Sequence, residues 1–256
     1  MGDAPHDFAA TEGSLVRAAR IAVRGDLAFG LDAVLLPASP TPSAPDRSCG
    51  RGDGGRAEER KRREQALEEL ALRHDRECPH CTTATAHRRS VFGEGDPFAE
   101  VLFVGEAPGE TEDLEGRPFV GKAGQKLKEM IVAMGLAQEQ VYIANVLKSR
   151  PPDNRTPQRH EIEQCGPYLK EQIEIIRPRL LVALGSPAAK LLLDTDEGIT
   201  RLRGVWGAYR DGAVEIPVMP TYHPAYLLRN YTAEVRREVW SDLQSVVQRL
   251  QEICGG

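Results

Sequence analysis

Apolar positions along this chain fall into two alternating kinds of run. Short continuous runs, Val101–Val104, Val141–Val146, Leu180–Leu184 and Ile216–Met219, have the length of strands buried on both faces. Between them apolar residues recur every three to four positions. Examples are Leu127, Met130 and Ile131 within 126–134, then Ile162, Cys165, Leu169, Ile173 and Ile176 within 157–176. The segment 188–193 follows the third strand, and Val235, Val239, Leu243, Val246, Val247 and Leu250 line one face of 232–253. That spacing predicts helices, the second with Pro157 in its first turn. Strands alternating with helices predict an α/β fold, a three-layer sandwich with a central, mostly parallel four-stranded sheet flanked by helices. The segment Ser90–Gly95 predicts a short strand or turn.

Upstream the pattern weakens. Leu15, Ala18, Ala19, Ala22 and Val23 share a face, with Ser14 as cap, so residues 1–37 predict an accessory helical segment. Residues 38–55 are rich in Pro, Ser, Gly and Asp. They bury too little to fold and predict a disordered linker. Residues 56–76 predict a helix of mixed charge with a narrow stripe of Ala66, Leu67, Leu70 and Ala71. Its charges read as a solvated face with no further role. The remainder, 56–256, predicts one folded domain.

Composition narrows the function classes. A formal net charge of -5 announces no bulk basic surface, although a local one is compatible with it. No apolar run approaches the ~20 residues of a membrane span, and the N-terminus lacks a signal-peptide pattern. The expected location is the cytoplasm. The chain has 5 cysteines, an odd count that argues against a disulfide framework. The pair in Cys78-Pro79-His80-Cys81 points instead to a metal or redox site. Cys49 lies in the linker and Cys254 at the terminus.

Three polar signals follow three strands: the loop Gly105–Asp113, Asn145 with Lys148–Thr156, and His223-Pro224. Strand ends of a parallel sheet converge on one edge, so these residues are expected to line one cleft. The loop has neither a Lys-Ser/Thr ending nor a GxGxxG spacing. Its acids Glu106, Glu110, Glu112 and Asp113 would repel a phosphate.

Taken together, GEAPGETED (105–113), GRPFVGKAG (116–124), NVLKSRPPDNRTP (145–157) and HPAYLLRN (223–230) resemble the family 4 uracil-DNA glycosylases, the iron–sulfur members of their superfamily. The resemblance runs from about Cys78 to the C-terminal helix. It implies a monofunctional DNA-repair glycosylase that hydrolyses the N-glycosidic bond of flipped-out uracil and leaves an abasic site. Uracil-containing DNA is the implied partner and a monomer the expected state. On this resemblance Phe119 stacks on the flipped base and Asn145 reads its Watson–Crick edge. His223 donates to uracil O2 as the base departs as an anion. Glu106 is assigned to the water side of the cationic sugar and Glu112 to the pocket wall near C5, the reverse assignment being the alternative, with Asn154 assisting the water. Gly105 and Gly109 allow close backbone approach, with the Ala107 amide beside them reaching the base. Arg229 contacts phosphate. Leu227 and Leu228 either wedge into the duplex or simply pack.

The resemblance also implies a [4Fe-4S] cluster on four cysteines. Cys78 and Cys81 match the first two and Cys165 the last, but Ser149 stands at the third position, before Arg150-Pro151-Pro152. Serine oxygen is a poorer iron ligand than thiolate. Ser149 as an oxygen ligand, an open iron, or no cluster all remain open, with a labile cluster preferred. Zinc aided by His80 and His87 is the weaker alternative. Two other classes compete. One is a non-catalytic or covalent uracil-DNA-binding protein of the same superfamily; its covalent members carry a Lys-Arg-Arg-Ile-His insertion, and nothing like it follows Gly124. A redox protein built on the CxxC leaves the other blocks unexplained.

Overall fold

The computed structural model describes Gly30, residues 53–84 and residues 87–255. The accessory segment 1–37, apart from Gly30, and most of the linker 38–55 lie outside the described residues.

The chain opens with the long helix α1 (Asp53–Glu77) and the short α2 (Pro79–Thr83), which carries the CxxC pair. The sheet strands are β1 (Glu94–Gly95), β2 (Val101–Gly105), β3 (Tyr142–Asn145), β4 (Leu180–Leu184), β5 (Gly207–Asp211) and β6 (Val214–Thr221). Helices α3 (Glu110–Glu115) and α4 (Lys122–Ala133) lie between β2 and β3, and α5 (Arg159–Ile176) follows β3. Helices α6 (Ser186–Leu193) and α7 (Ile199–Leu202) follow β4, while α8 (Pro224–Arg229) and α9 (Ala233–Gly255) close the chain.

Among the described residues the sheet has six strands in the order β1-β3-β2-β4-β6-β5, where four were expected. The expected four are its parallel centre: β2 pairs parallel with β3 and β4, and β4 with β6. The additions are antiparallel edges, β1 on β3 and β5 on β6. Strand β1 is only two residues long and fully exposed in pattern, so it leaves no apolar run to read. Strand β5 is half-exposed for the same reason. It joins β6 through Gly212-Ala213, because Asp211 pairs with Val214. The dipeptide Asp211-Gly212 is a hairpin signal that the periodicity alone does not use.

Alternation along the buried strands divides the core. Leu102, Val104, Ala144, Leu181, Ala183 and Val218 face one layer, where Leu67 and Leu70 of α1, Leu169 and Ile173 of α5 and Ala188 of α6 pack. Val101, Phe103, Ile143, Leu180, Val182 and Met219 face the other, against α4, Leu227 of α8 and Val239, Leu243 and Val246 of α9. Helices therefore cover both faces, as a parallel sheet requires. The charged helix α1 is docked, not merely solvated. Arg63 donates to the carbonyls of Ile176 and Pro97 at 2.8 and 3.1 Å and stacks over Phe98 at 4.3 Å. No described helix is long and apolar enough to cross a membrane.

Candidate active site and metal cage

The C-terminal ends of β2, β3 and β6 deliver Gly105, Asn145 and, just past Thr221, His223 to one edge. Backbone bonds lock the loops that leave these strands. Val146 N–H donates to Gly105 O at 3.0 Å and Leu147 N–H to Glu106 O at 3.1 Å.

Phe119 and Asn145 meet at Gly105. A Cβ there would lie 2.3 Å from Asn145 Oδ1 and 2.6 Å from Phe119 Cζ, so only glycine lets amide and ring approach this strand end. The Phe119 ring also stands 5.7 Å from the His223 ring. Phe119 itself has a positive φ of 53°, a backbone state that a bulky residue holds only when its surroundings enforce it. Two features enforce it. Gly124 packs so closely that a Cβ there would sit 1.7 Å from Phe119 O. Glu112 Oε1 accepts from Val120 N–H at 3.0 Å and Gly121 N–H at 2.8 Å, and Glu112 Oε2 from Gly109 N–H at 3.2 Å. Glu112, expected at the pocket wall, thus spends both carboxylate oxygens on the backbone and shapes the loop that presents Phe119.

His223 caps α8, its Nδ1 accepting from Ala225 N–H at 3.1 Å. An acceptor Nδ1 puts the ring proton of the neutral form on Nε2, which is then a donor. Burial first, and then the charge of Arg229, push its pKa down to about 4, so the ring is neutral at physiological pH. Asn145 is 1% exposed, and its Oδ1 is buried without a hydrogen-bond partner. A buried carbonyl oxygen left unpaired is costly in a finished structure.

Glu106 and His223 line an open cleft of about 680 Å³, together with Thr156, Arg159, Gly185, Lys190, Tyr222 and Tyr226. Burial raises the pKa of Glu106, while the Arg229 charge and a Thr156 hydrogen bond act in the opposite direction. Thr156, the last residue of the segment Lys148–Thr156, lines this cleft together with Glu106. Asn154, expected to assist the water, is exposed with its Oδ1 accepting from Arg150 Nε at 2.8 Å. Ala107 is half-buried on the turn beside Glu106, and Arg229 is exposed on α8. The two leucines separate: Leu227 is 1% exposed and packs in the core, whereas Leu228 is 41% exposed.

On the other side of β3, Cys78, Cys81 and Cys165 come together with a residue that the motif reading did not single out, His74 of α1. The four donor atoms all lie within 4.8 Å of one another, and all four residues are buried. Cys81 Sγ is 3.8 Å from Cys165 Sγ, and the thiol of Cys81 donates to Ser149 Oγ at 3.2 Å. Neither histidine offered for zinc is in the group. His80 faces Glu161, with Nδ1 3.8 Å from its carboxylate, and the residues gathered in the cage do not include His87. Cys49 lies outside the described residues. Three soft thiols and an imidazole in a buried cage have the number and chemistry to hold an iron–sulfur cluster or one tetrahedral ion.

An α/β sheet with a polar pocket at its C-terminal strand ends defines a small-ligand-binding or catalytic fold of the open-sheet class. The comparisons give the family. Residues 92–244 match the family model described as the uracil DNA glycosylase superfamily. A type-4 uracil-DNA glycosylase of Thermotoga maritima is 43% identical over 181 residues, covering 70% of this chain and 93% of the relative. Another, of Sulfurisphaera tokodaii, is 44% identical over 174 residues, covering 66% and 78% respectively. That of Archaeoglobus fulgidus is 41% identical over 196 residues, covering 75% and 94%. The chain belongs to the uracil-DNA glycosylase superfamily.

Proposed function

We propose that this chain is a uracil-DNA glycosylase of DNA repair, which hydrolyses the N-glycosidic bond of uracil flipped out of DNA and leaves an abasic site. The observation that carries this reading is the unpartnered Oδ1 of Asn145, buried at a strand end near Phe119, with His223 5.7 Å from that ring. Flipping costs a few kcal/mol, and stacking on Phe119 offsets part of it. Asn145 Oδ1 accepts from uracil N3–H and its amide N–H donates to O4; cytosine presents the opposite pattern at both atoms. His223 Nε2–H donates to O2, stabilising the anion that forms as the bond breaks. Glu106 faces the cationic sugar and positions the water, steadied by Thr156. The Ala107 amide, with Gly105 and Gly109, approaches the base, and Arg229 contacts phosphate.

The catalytic unit of this reading is 56–256, acting as a monomer on uracil-containing DNA in the cytoplasm, with 1–37 as an accessory segment. The cage is read as a [4Fe-4S] site, as the family resemblance implies. Three buried thiols at matching positions support it. Cys78 and Cys81 at α2 and Cys165 of α5 would hold the group, which would tie these two helices together; the residues above perform the chemistry.

Incubation with a uracil-containing oligonucleotide, followed by alkali, tests the activity. Strand cleavage at the uracil is expected. No cleavage with tight retention of the DNA would overturn the enzyme reading in favour of a uracil-DNA-binding protein.

A further inference from the structure

We propose that His74 Nε2, and not the Ser149 hydroxyl, is the fourth protein ligand of the metal group held by Cys78, Cys81 and Cys165. The proposal rests on the reading of the cage as a metal site. His74 is fully buried, with Nε2 3.1 Å from Cys81 Sγ and 3.8 Å from Cys165 Sγ. Its other ring nitrogen, Nδ1, lies 2.9 Å from Asp75 Oδ1. A carboxylate on Nδ1 fixes the tautomer that leaves the Nε2 lone pair toward the sulfurs, the usual arrangement of a metal-binding histidine. Tyr168 holds the ring edge-on at 4.9 Å and 89°. The backbone carries the last turn of α1 past its end, since Cys78 N–H donates to His74 O at 2.9 Å. His74 and Cys78 therefore sit one turn apart on the same face, and His-x3-Cys-x2-Cys becomes one continuous ligand motif.

Ser149 is equally buried, but its contact with the cage runs through Cys81 Sγ at 3.2 Å. A neutral hydroxyl is a poor ligand for iron or zinc, whereas imidazole suits both. With Cys81 ionised and bound to metal, the Ser149 hydroxyl becomes a donor to that sulfur, a contact that tunes the group without ligating it. Ligand atoms around one tetrahedral ion stand roughly 3.3–3.8 Å apart. The cage has nearly that span, and a cubane cluster spreads its ligands further. The ligand set and the identity of the metal are therefore separate questions with separate readouts.

The test uses the full chain, purified without oxygen, with iron, zinc and acid-labile sulfide measured per chain and the visible spectrum recorded. Ser149→Ala is expected to keep the metal content, and His74→Ala to lower it by roughly tenfold or more. His74→Cys is expected to restore it, with a lower reduction potential if the group is a cluster, because imidazole ligation raises the potential. Should His74→Ala fail to fold, the wild-type chain decides: nitrogen coupling in pulsed EPR of the reduced cluster, or a three-sulfur, one-nitrogen shell at the zinc edge, is expected. Metal lost in Ser149→Ala and kept in His74→Ala, or no nitrogen at the metal, overturns the proposal. Zinc without sulfide that depends on His74 upholds the ligand and overturns the cluster reading alone. No stoichiometric metal in the wild-type chain overturns both.

Discussion

Lys148 Nζ donates to the backbone carbonyl of Asn145 at 2.8 Å, while the Lys148 backbone N–H donates to Cys165 Sγ at 3.3 Å. One fully buried lysine thereby joins the metal cage to the residue proposed to read the base. Its ammonium is also bonded to Gln172 Oε1 at 2.5 Å. Lys148→Met would leave both acceptors without this donor, at about 1–3 kcal/mol each. For a domain of this size each kcal/mol lowers Tm by roughly 2–4 °C. A drop of several degrees is expected in thermal melts, with weakened excision; an unchanged Tm would mean that the bond carries no load.

The role proposed for His223 makes excision sensitive to acid in a defined direction. Its folded pKa, about 4, is below its ordinary 6.5. The neutral ring's contribution to stability is therefore fully present above about pH 6.5 and lost as pH falls through about 4. Protonating Nδ1 also turns it against the Ala225 N–H that it now accepts. Single-turnover excision is expected to stay flat from neutral pH downward and to fall only toward pH 4. His223→Ala should cost about 10²–10³-fold in rate, with Tm lowered only by the few degrees that loss of the α8 cap costs. A midpoint near 6.5 would contradict the half-buried, capped ring.

Asn145→Asp tests the proposed reading of the base edge. A buried, protonated carboxyl can donate to cytosine N3, which the native Oδ1 repels. Release of cytosine from a C·G oligonucleotide is expected to appear, while uracil release declines. If uracil is still removed and cytosine never is, base reading lies elsewhere.

Glu112 separates a loop-shaping role from a substrate contact. Glu112→Gln keeps one acceptor oxygen and Glu112→Ala none, so Tm and excision should fall together in the order Glu, Gln, Ala. Each charged hydrogen bond is worth about 1.5–3 kcal/mol. Loss of activity in Glu112→Gln at unchanged Tm would instead place the carboxylate on the substrate.

Gly105→Ala tests the crowding at the end of β2. The added methyl would meet side-chain atoms, the Phe119 ring and Asn145 Oδ1, and not backbone. The fold is expected to survive with excision severely reduced. Gly124→Ala, which meets the Phe119 carbonyl, should disturb the loop itself and lower Tm as well.

The sequence by itself determined the four central strands and the helices on both faces, because burial on a parallel sheet writes continuous apolar runs and a 3.6-residue period into the chain. It also placed Gly105, Asn145 and His223 at strand ends, where a parallel sheet must bring them to one edge. The exposed edges β1 and β5 were beyond that pattern, since strands open to solvent carry no apolar run. Only the tertiary structure decided how side chains spend their hydrogen bonds. Glu112 went to backbone amides, a choice that leaves no periodic trace. His74 is the sharpest case. Its spacing from Cys78 is legible, but a histidine in a charged helix reads as surface until α1 docks on α5 and turns that face inward. Side-chain chemistry is local in sequence, whereas the company a side chain keeps is set by packing between segments far apart in the chain.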